Sequence, residues 1–253
     1  MNVLALDFPP VSHLVEWGPI WGSGALAINK VVLEMMIAAV AVIVFYTVAG
    51  SKKALVPTGA QNLGEMAVGF VEDGIIMETI GPDGLLYAPY LLTLFSFILT
   101  CNMIGLLPFV QMPPLARYGV PVFMALVTYF IYNVVAVVKQ GPIQYLRNVM
   151  FMPGVPKVMY LLLTPIEFFT VFLIQPFSLS LRLFANLLAG HLILVTFAVL
   201  TTALWEATKI GFVLPFALLV ALTGFELLVA FLQAYIFTIL SAVYIGRAMH
   251  PDH

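Results

Sequence analysis

The sequence predicts an all-α integral membrane protein, and three observations predict it. Of the 253 residues, 62% are hydrophobic and only 9% charged, against roughly 25% charged in an ordinary soluble domain. Five long apolar stretches reach the ~20 residues needed to cross a hydrocarbon layer. A segment between the first two repeats its apolar residues with the period of a helix surface. Such a chain cannot cover itself with polar surface, so much of its solvent must be lipid.

Taken in order, residues 1–29 read as an outer lead with Trp17, Pro19 and Trp21, residues of the kind found at a membrane interface. Tryptophans that simply pack would look the same. No basic region precedes a short apolar core, so no removable secretory leader is expected. Helix 1, residues 30–49, carries one charge in its apolar run, Glu34. Residues 61–80 place Leu63, Met66, Ala67 and Phe70 at i, i+3, i+4 and i+7, with Glu65, Glu72 and Asp73 on the other face. That pattern predicts an amphipathic helix lying in the interface. Helix 2, residues 85–110, is uncharged and runs into Pro108, Pro113 and Pro114. Helix 3, residues 120–139, is uncharged up to Lys139 and is closed by Gly141 and Pro142.

The stretch 158–204 admits two readings: two spans turning near Gln175-Pro176, or one long inclined helix. The last stretch, 208–248, has Glu226 as the one charge of its apolar run and exceeds a single perpendicular crossing. With five crossings Lys52, Lys53, Lys139, Arg147, Lys157 and Arg247 fall on one side and Lys30, Arg117 and Lys209 on the other, and the positive-inside rule makes the first side cytoplasmic, with the N-terminus outside and the C-terminus inside. The same rule gives no preference between the two readings of 158–204.

Composition also excludes. Ten basic against twelve acidic residues give a net charge of −2, which argues against a nucleic-acid partner. The single cysteine, Cys101, excludes an internal disulfide and a cysteine-rich metal site. No metal-ligand cluster, nucleophile motif or phosphate loop is present, so neither a cofactor, a metal nor an enzyme centre of its own is expected. The two halves show no internal repeat, which withholds support from inverted-repeat transporters.

The chemistry concentrates in the last two stretches. A charge at the bilayer centre costs between about 2.5 and 17 kcal/mol, and the arginine guanidinium cannot be discharged in practice. Arg182 lies mid-run with no opposite charge nearby in sequence, so it needs an anionic or polar partner from elsewhere. Either it makes a structural ion pair with Glu226 or it belongs to an ion pathway. Gln175, Ser178, Arg182, Asn186 and Ala189 share one helical face, and Ala185, Ala189 and Gly190 allow another helix to approach closely. An antiparallel pairing of the last two helices about the polar break at 201–209 sets Arg182 level with Gln233, and His191 level with Glu226.

His191 titrates near neutrality in its ordinary state, and a carboxylate beside it can exchange protons with it at ordinary pH. The pair reads as an outer proton relay leading toward Arg182, or as a buried pair that merely joins two helices. Glu167 precedes Arg182 by about 22 Å of helix rise. It either lines a separate inner path or complements the positive end of a helix near Thr164-Pro165. Asn102, Asn133 and Tyr235 are weaker candidates, since isolated polar groups in spans ordinarily bond to neighbouring helices.

The stretch Gln175-Pro-Phe-Ser-Leu-Ser-Leu-Arg-Leu-Phe-Ala-Asn-Leu-Leu-Ala-Gly-His191 resembles the signature of the subunit a family of F-type ATP synthases. So does Phe225-Glu-Leu-Leu-Val-Ala-Phe-Leu-Gln-Ala-Tyr-Ile-Phe-Thr-Ile-Leu240, with weaker likeness at Cys101-Asn-Met-Ile-Gly-Leu-Leu-Pro108. In some bacterial members acid and histidine occupy the two relay positions in the opposite order. The resemblance implies five membrane helices plus one interfacial amphipathic helix, with the last two helices long, tilted and antiparallel. It implies a multi-pass subunit of a bacterial plasma membrane, facing a ring of c subunits and joined to b-type peripheral stalk subunits and the F1 sector. Arg182 would be the essential gate charge. His191, Glu226, Asn186, Gln233, Ser178, Gln175 and Glu167 would lie along the proton path. A stand-alone proton-coupled secondary transporter is the alternative.

Overall fold

In the computed structural model the described residues are 29–51, 54, 56–107, 113–150 and 159–249. The outer lead with its tryptophans, and Lys52, Lys53, Pro108 and Lys157, lie outside them. The described residues contain five helices long and apolar enough to cross a membrane and no strand.

Helix α1, Lys30–Ser51, begins where the Asn29 side chain accepts a hydrogen bond from the Val32 N–H at 3.0 Å, which satisfies one of the donors a helix start leaves open. Its Met36, Val40 and Ile43 are exposed, a surface suited to lipid. Helix α2, Ala60–Val71, continues through a π segment, Glu72–Ile76, into Met77–Thr79. Its apolar residues Leu63 and Met66 are exposed, while Phe70 lays its ring against Phe95, Phe231 and Tyr235. Gln61, Gly64 and Val71 are buried instead. A Cβ on Gly64 would stand 2.8 Å from the Ala49 Cβ, so α1 and α2 cross where both side chains are minimal.

Helix α3, Ala88–Gly105, follows a 3₁₀ turn over Pro82–Tyr87. It stops short of the expected residue 110, and the physical reason is local. The chain turns at Leu106 and Leu107, and a Cβ on Gly105 would overlap the Pro113 ring and backbone as the chain returns. Gly105→Ala is therefore expected to destabilise the fold by about 1–3 kcal/mol, the usual cost of overpacking. Thermal unfolding in detergent reads the loss, and an unchanged midpoint would show that the return of Pro113 is not tight.

Helix α4, Gly119–Gln140, ends on Gly141 at φ 82°, whose N–H bonds the Val137 carbonyl at 2.9 Å, the left-handed stop that glycine allows. A short amphipathic helix follows that the periodicity reading passed over: α5, Pro142–Met150, with proline at its first position. It is held by side chains. The Tyr145 hydroxyl donates to Asn133 Oδ1 at 2.8 Å, Asn148 Nδ2 donates to Gln140 Oε1 at 3.0 Å, and Gln140 Nε2 donates to the Ala248 carbonyl at 2.8 Å. Burial pushes the Tyr145 hydroxyl up to about 12, so it stays protonated and able to donate.

The ambiguous stretch is one continuous helical segment. Helix α6, Tyr160–Phe169, passes through a π segment, Thr170–Ile174, directly into α7, Gln175–Thr208. Gln175-Pro176 makes no turn: the proline follows directly on the π segment, and the helix continues through it. The 49 residues of this segment rise about 73 Å, against a hydrocarbon layer of about 30 Å.

Helix α8, Val213–Met249, returns antiparallel after a tight connection. Lys209 takes a left-handed φ of 52°. The Gly211 N–H donates to Thr208 Oγ1 at 3.0 Å, and the Trp205 ring meets Phe212 edge-on at 4.7 Å. One face of α8, with Ala230, Ala234, Phe237, Ala242 and Ile245, is buried against α3, α4 and α7. Leu91 and Ile98 of α3 and Leu179, Leu183 and Leu187 of α7 complete that core.

Candidate functional site

Helix α7 has two faces. Leu179, Leu183, Leu187 and His191 recur every fourth residue and are buried. Ser178, Arg182, Asn186 and Ala189 are exposed. Arg182 and His191 therefore project from opposite sides of one helix, as 3.6 residues per turn requires. Gln175 is half-buried at the start of the exposed stripe, and Glu167 is half-buried on α6. Among the described residues Arg182 has no hydrogen bond and no ion pair. Tyr244 of α8 lies within its electrostatic reach and within that of Arg247.

The structure sets Glu226 against Gly190, the residue before His191, and among the described residues neither His191 and Glu226 nor Arg182 and Gln233 share a hydrogen bond or an ion pair. Glu226 Oε1 sits 2.9 Å from the place where a Gly190 Cβ would be. The glycine beside His191 is thus the notch that admits the carboxylate, a more specific use of small bulk than plain helix packing. Gln233 is only 4% exposed, whereas Arg182 is exposed. The ion pair between Arg182 and Glu226 is likewise absent among the described residues.

Among the described residues four buried side-chain atoms have no hydrogen-bond partner: Glu34 Oε1, Asn102 Oδ1, His191 Nε2 and Glu226 Oε2. They stand on α1, α3, α7 and α8, a polar lane of four separate groups with no hydrogen bond between any two of them among the described residues. Cys101 lies within electrostatic reach of Glu34. The neighbouring Asn102 Nδ2 donates to the Ala230 carbonyl at 3.1 Å, one turn from Glu226, which in turn meets Gly190 beside His191. Lys30 Nζ is 3.9 Å from Glu34 Oε1, the outer limit of an ion pair.

Glu34 is the residue that sequence reasoning did not assign. Its signal was present, as the one carboxylate in the apolar run of α1. Asn133 proves structural, donating to the Tyr129 carbonyl at 2.7 Å and accepting from Tyr145. Tyr235 packs its ring 5.7 Å from that of Phe70. Among the described residues no three histidine, cysteine or acidic side chains gather as metal ligands.

The family described as ATP synthase A chain matches residues 32–246. ATP synthase subunit a of Rhodococcus erythropolis is 38% identical over 97% of this chain and 89% of its own length. The subunit a of a Nocardioides species is 37% identical over 91% of this chain and 85% of its own. That of Mesorhizobium japonicum is 37% identical over 95% of each chain. The match spans the four helices of the polar lane and the arginine stripe together, and the chain belongs to the ATP synthase A chain family.

Proposed function

We propose that this chain is the proton-conducting stator subunit of a rotary ATP synthase in a bacterial plasma membrane, with its N-terminus outside and its C-terminus in the cytoplasm. The observation that carries this reading is Arg182: a permanent charge within an apolar helix, outward-facing, with no partner among the described residues. In lipid that charge requires an anion, and the exposed stripe of Ser178, Arg182, Asn186 and Ala189 offers a close approach for a helix carrying one. The anion is the proton-carrying carboxylate of the c-subunit ring, supplied in trans.

Protons arrive from outside along Glu34, Asn102, Glu226 and His191 and neutralise that carboxylate. The neutral acid can travel through lipid, whereas a bare carboxylate meets the full desolvation cost. After nearly one revolution it loses the proton to an inner path on the side of Glu167. Arg182 then attracts the fresh carboxylate and blocks direct passage between the two paths. Gln175, Gln233 and Asn186 supply polar groups near that exchange. Each proton crossing 100 mV releases about 2.3 kcal/mol, so leakage past the arginine would waste several protons for every ATP. The chain itself carries out no phosphoryl chemistry, which belongs to the F1 sector, and b-type stalk subunits hold it against rotation.

Single cysteines test the ring-facing stripe. Ser178→Cys and Asn186→Cys in the assembled complex are expected to form disulfides with cysteines placed on the outer helix of the ring. Leu187→Cys, on the buried face, is expected not to. Equal cross-linking from both faces, or none from the exposed one, would remove the ring from this surface.

A further inference from the structure

The π segment before Arg182 runs into a proline, and a side chain from another helix donates to the Val171 carbonyl within it. The Gln175 N–H bonds the Thr170 carbonyl, five residues back. The next donor in line for the Val171 carbonyl would be residue 176, which is proline and has no N–H. Buried backbone acceptors are almost always paired, and here the Tyr132 hydroxyl of α4 donates to the Val171 carbonyl at 3.1 Å. Tyr132 is only 5% exposed. Its ring is clamped between Tyr129 at 5.3 Å and Tyr244 at 5.7 Å, and Tyr244 is the residue within electrostatic reach of Arg182.

We infer that Tyr132 is a positioning residue for Arg182: its hydroxyl fixes the π segment and thereby the rotation of α7 that turns the arginine stripe outward. The physics is one of register. A π turn inserts one extra residue into the helical path, so a helix that relaxes to α-type bonding re-aims every side chain beyond it. Less than two turns separate Pro176 from Arg182. Without the Tyr132 hydroxyl the Val171 carbonyl of the π form loses that donor, and the balance shifts toward other bonding patterns. The inference rests on the reading that the stripe of α7 meets the ring.

The test uses the complete complex in sealed vesicles, with ATP-driven acidification and backbone hydrogen exchange over residues 170–182 measured on the same preparations. Tyr132→Phe keeps the aromatic packing and removes only the hydroxyl. It is expected to lower coupled pumping roughly five-fold or more and to speed exchange in that segment by a similar factor. Pro176→Ala provides an N–H within reach of the Val171 carbonyl. Adding Tyr132→Phe to that background should then change pumping less than about two-fold. Exchange and pumping both at the parental level in Tyr132→Phe would overturn the inference, as would an equal loss in both backgrounds. Where Pro176→Ala pumps too weakly to compare, the exchange measurement decides. Failure of the stator reading would show elsewhere, as full coupling in Arg182→Ala.

Discussion

Arg182→Ala is expected to abolish proton-driven ATP synthesis and ATP-driven pumping, by about two orders of magnitude or more, in complexes that still assemble. The side chain is exposed on α7 and bears on none of the core around Leu179, Leu183 and Leu187, so its loss leaves the fold in place. What disappears is the one permanent charge that can draw the ring carboxylate out of lipid and hold the two paths apart. Arg182→Lys should fail nearly as badly. A compact ammonium can surrender its proton when desolvated, whereas the guanidinium cannot. Synthesis and pumping by reconstituted vesicles supply the measurement, with passive proton leak as a second readout that should rise. Coupled synthesis at the parental rate would remove the arginine from the mechanism.

Glu226→Gln carries the next largest effect. The amide fills the same space against Gly190, keeps the polarity of the site and cannot pass a proton. Proton uptake from the outer side should fall roughly 10- to 100-fold, the lower range of what a positioned acid–base group supplies. The pH profile of pumping should change shape, because one of the titrating groups in the lane is gone. Initial rates across a pH series would measure both. A normal rate with an unchanged profile would return His191 and Glu226 to the role of helix fasteners.

Much of this was legible in the sequence because lipid imposes simple rules. A run such as α4 can cross a membrane or do little else, and the stop at Gly141 follows from a residue that alone accepts φ 82°. Arg182 and Glu226 announced themselves by their cost. Other features lay below the resolution of pattern. Helix α5 is short and mixes polar residues with apolar ones, so it reads as a loop until Tyr145 and Asn148 are seen bonded to α4. Glu34 lies within a turn or so of the start of α1, where a carboxylate ordinarily means little. Only the fold sets it near Cys101. The continuity through Gln175-Pro176 depends on a π segment that no periodicity announces. The membership in the A chain family settles the subunit, while the partition of roles among these residues rests on geometry.

The inclined segment Tyr160–Thr208 has a consequence for direction of travel. A rod more than twice as long as the oily layer is thick, and apolar through most of its length, cannot stand upright within that layer. Positions that differ in height along it must also differ sideways. For a drum turning beside such a ramp, climbing and going round become one displacement, as on the thread of a screw. An ion that must leave at another level than the one where it boarded can then do so only by being carried around.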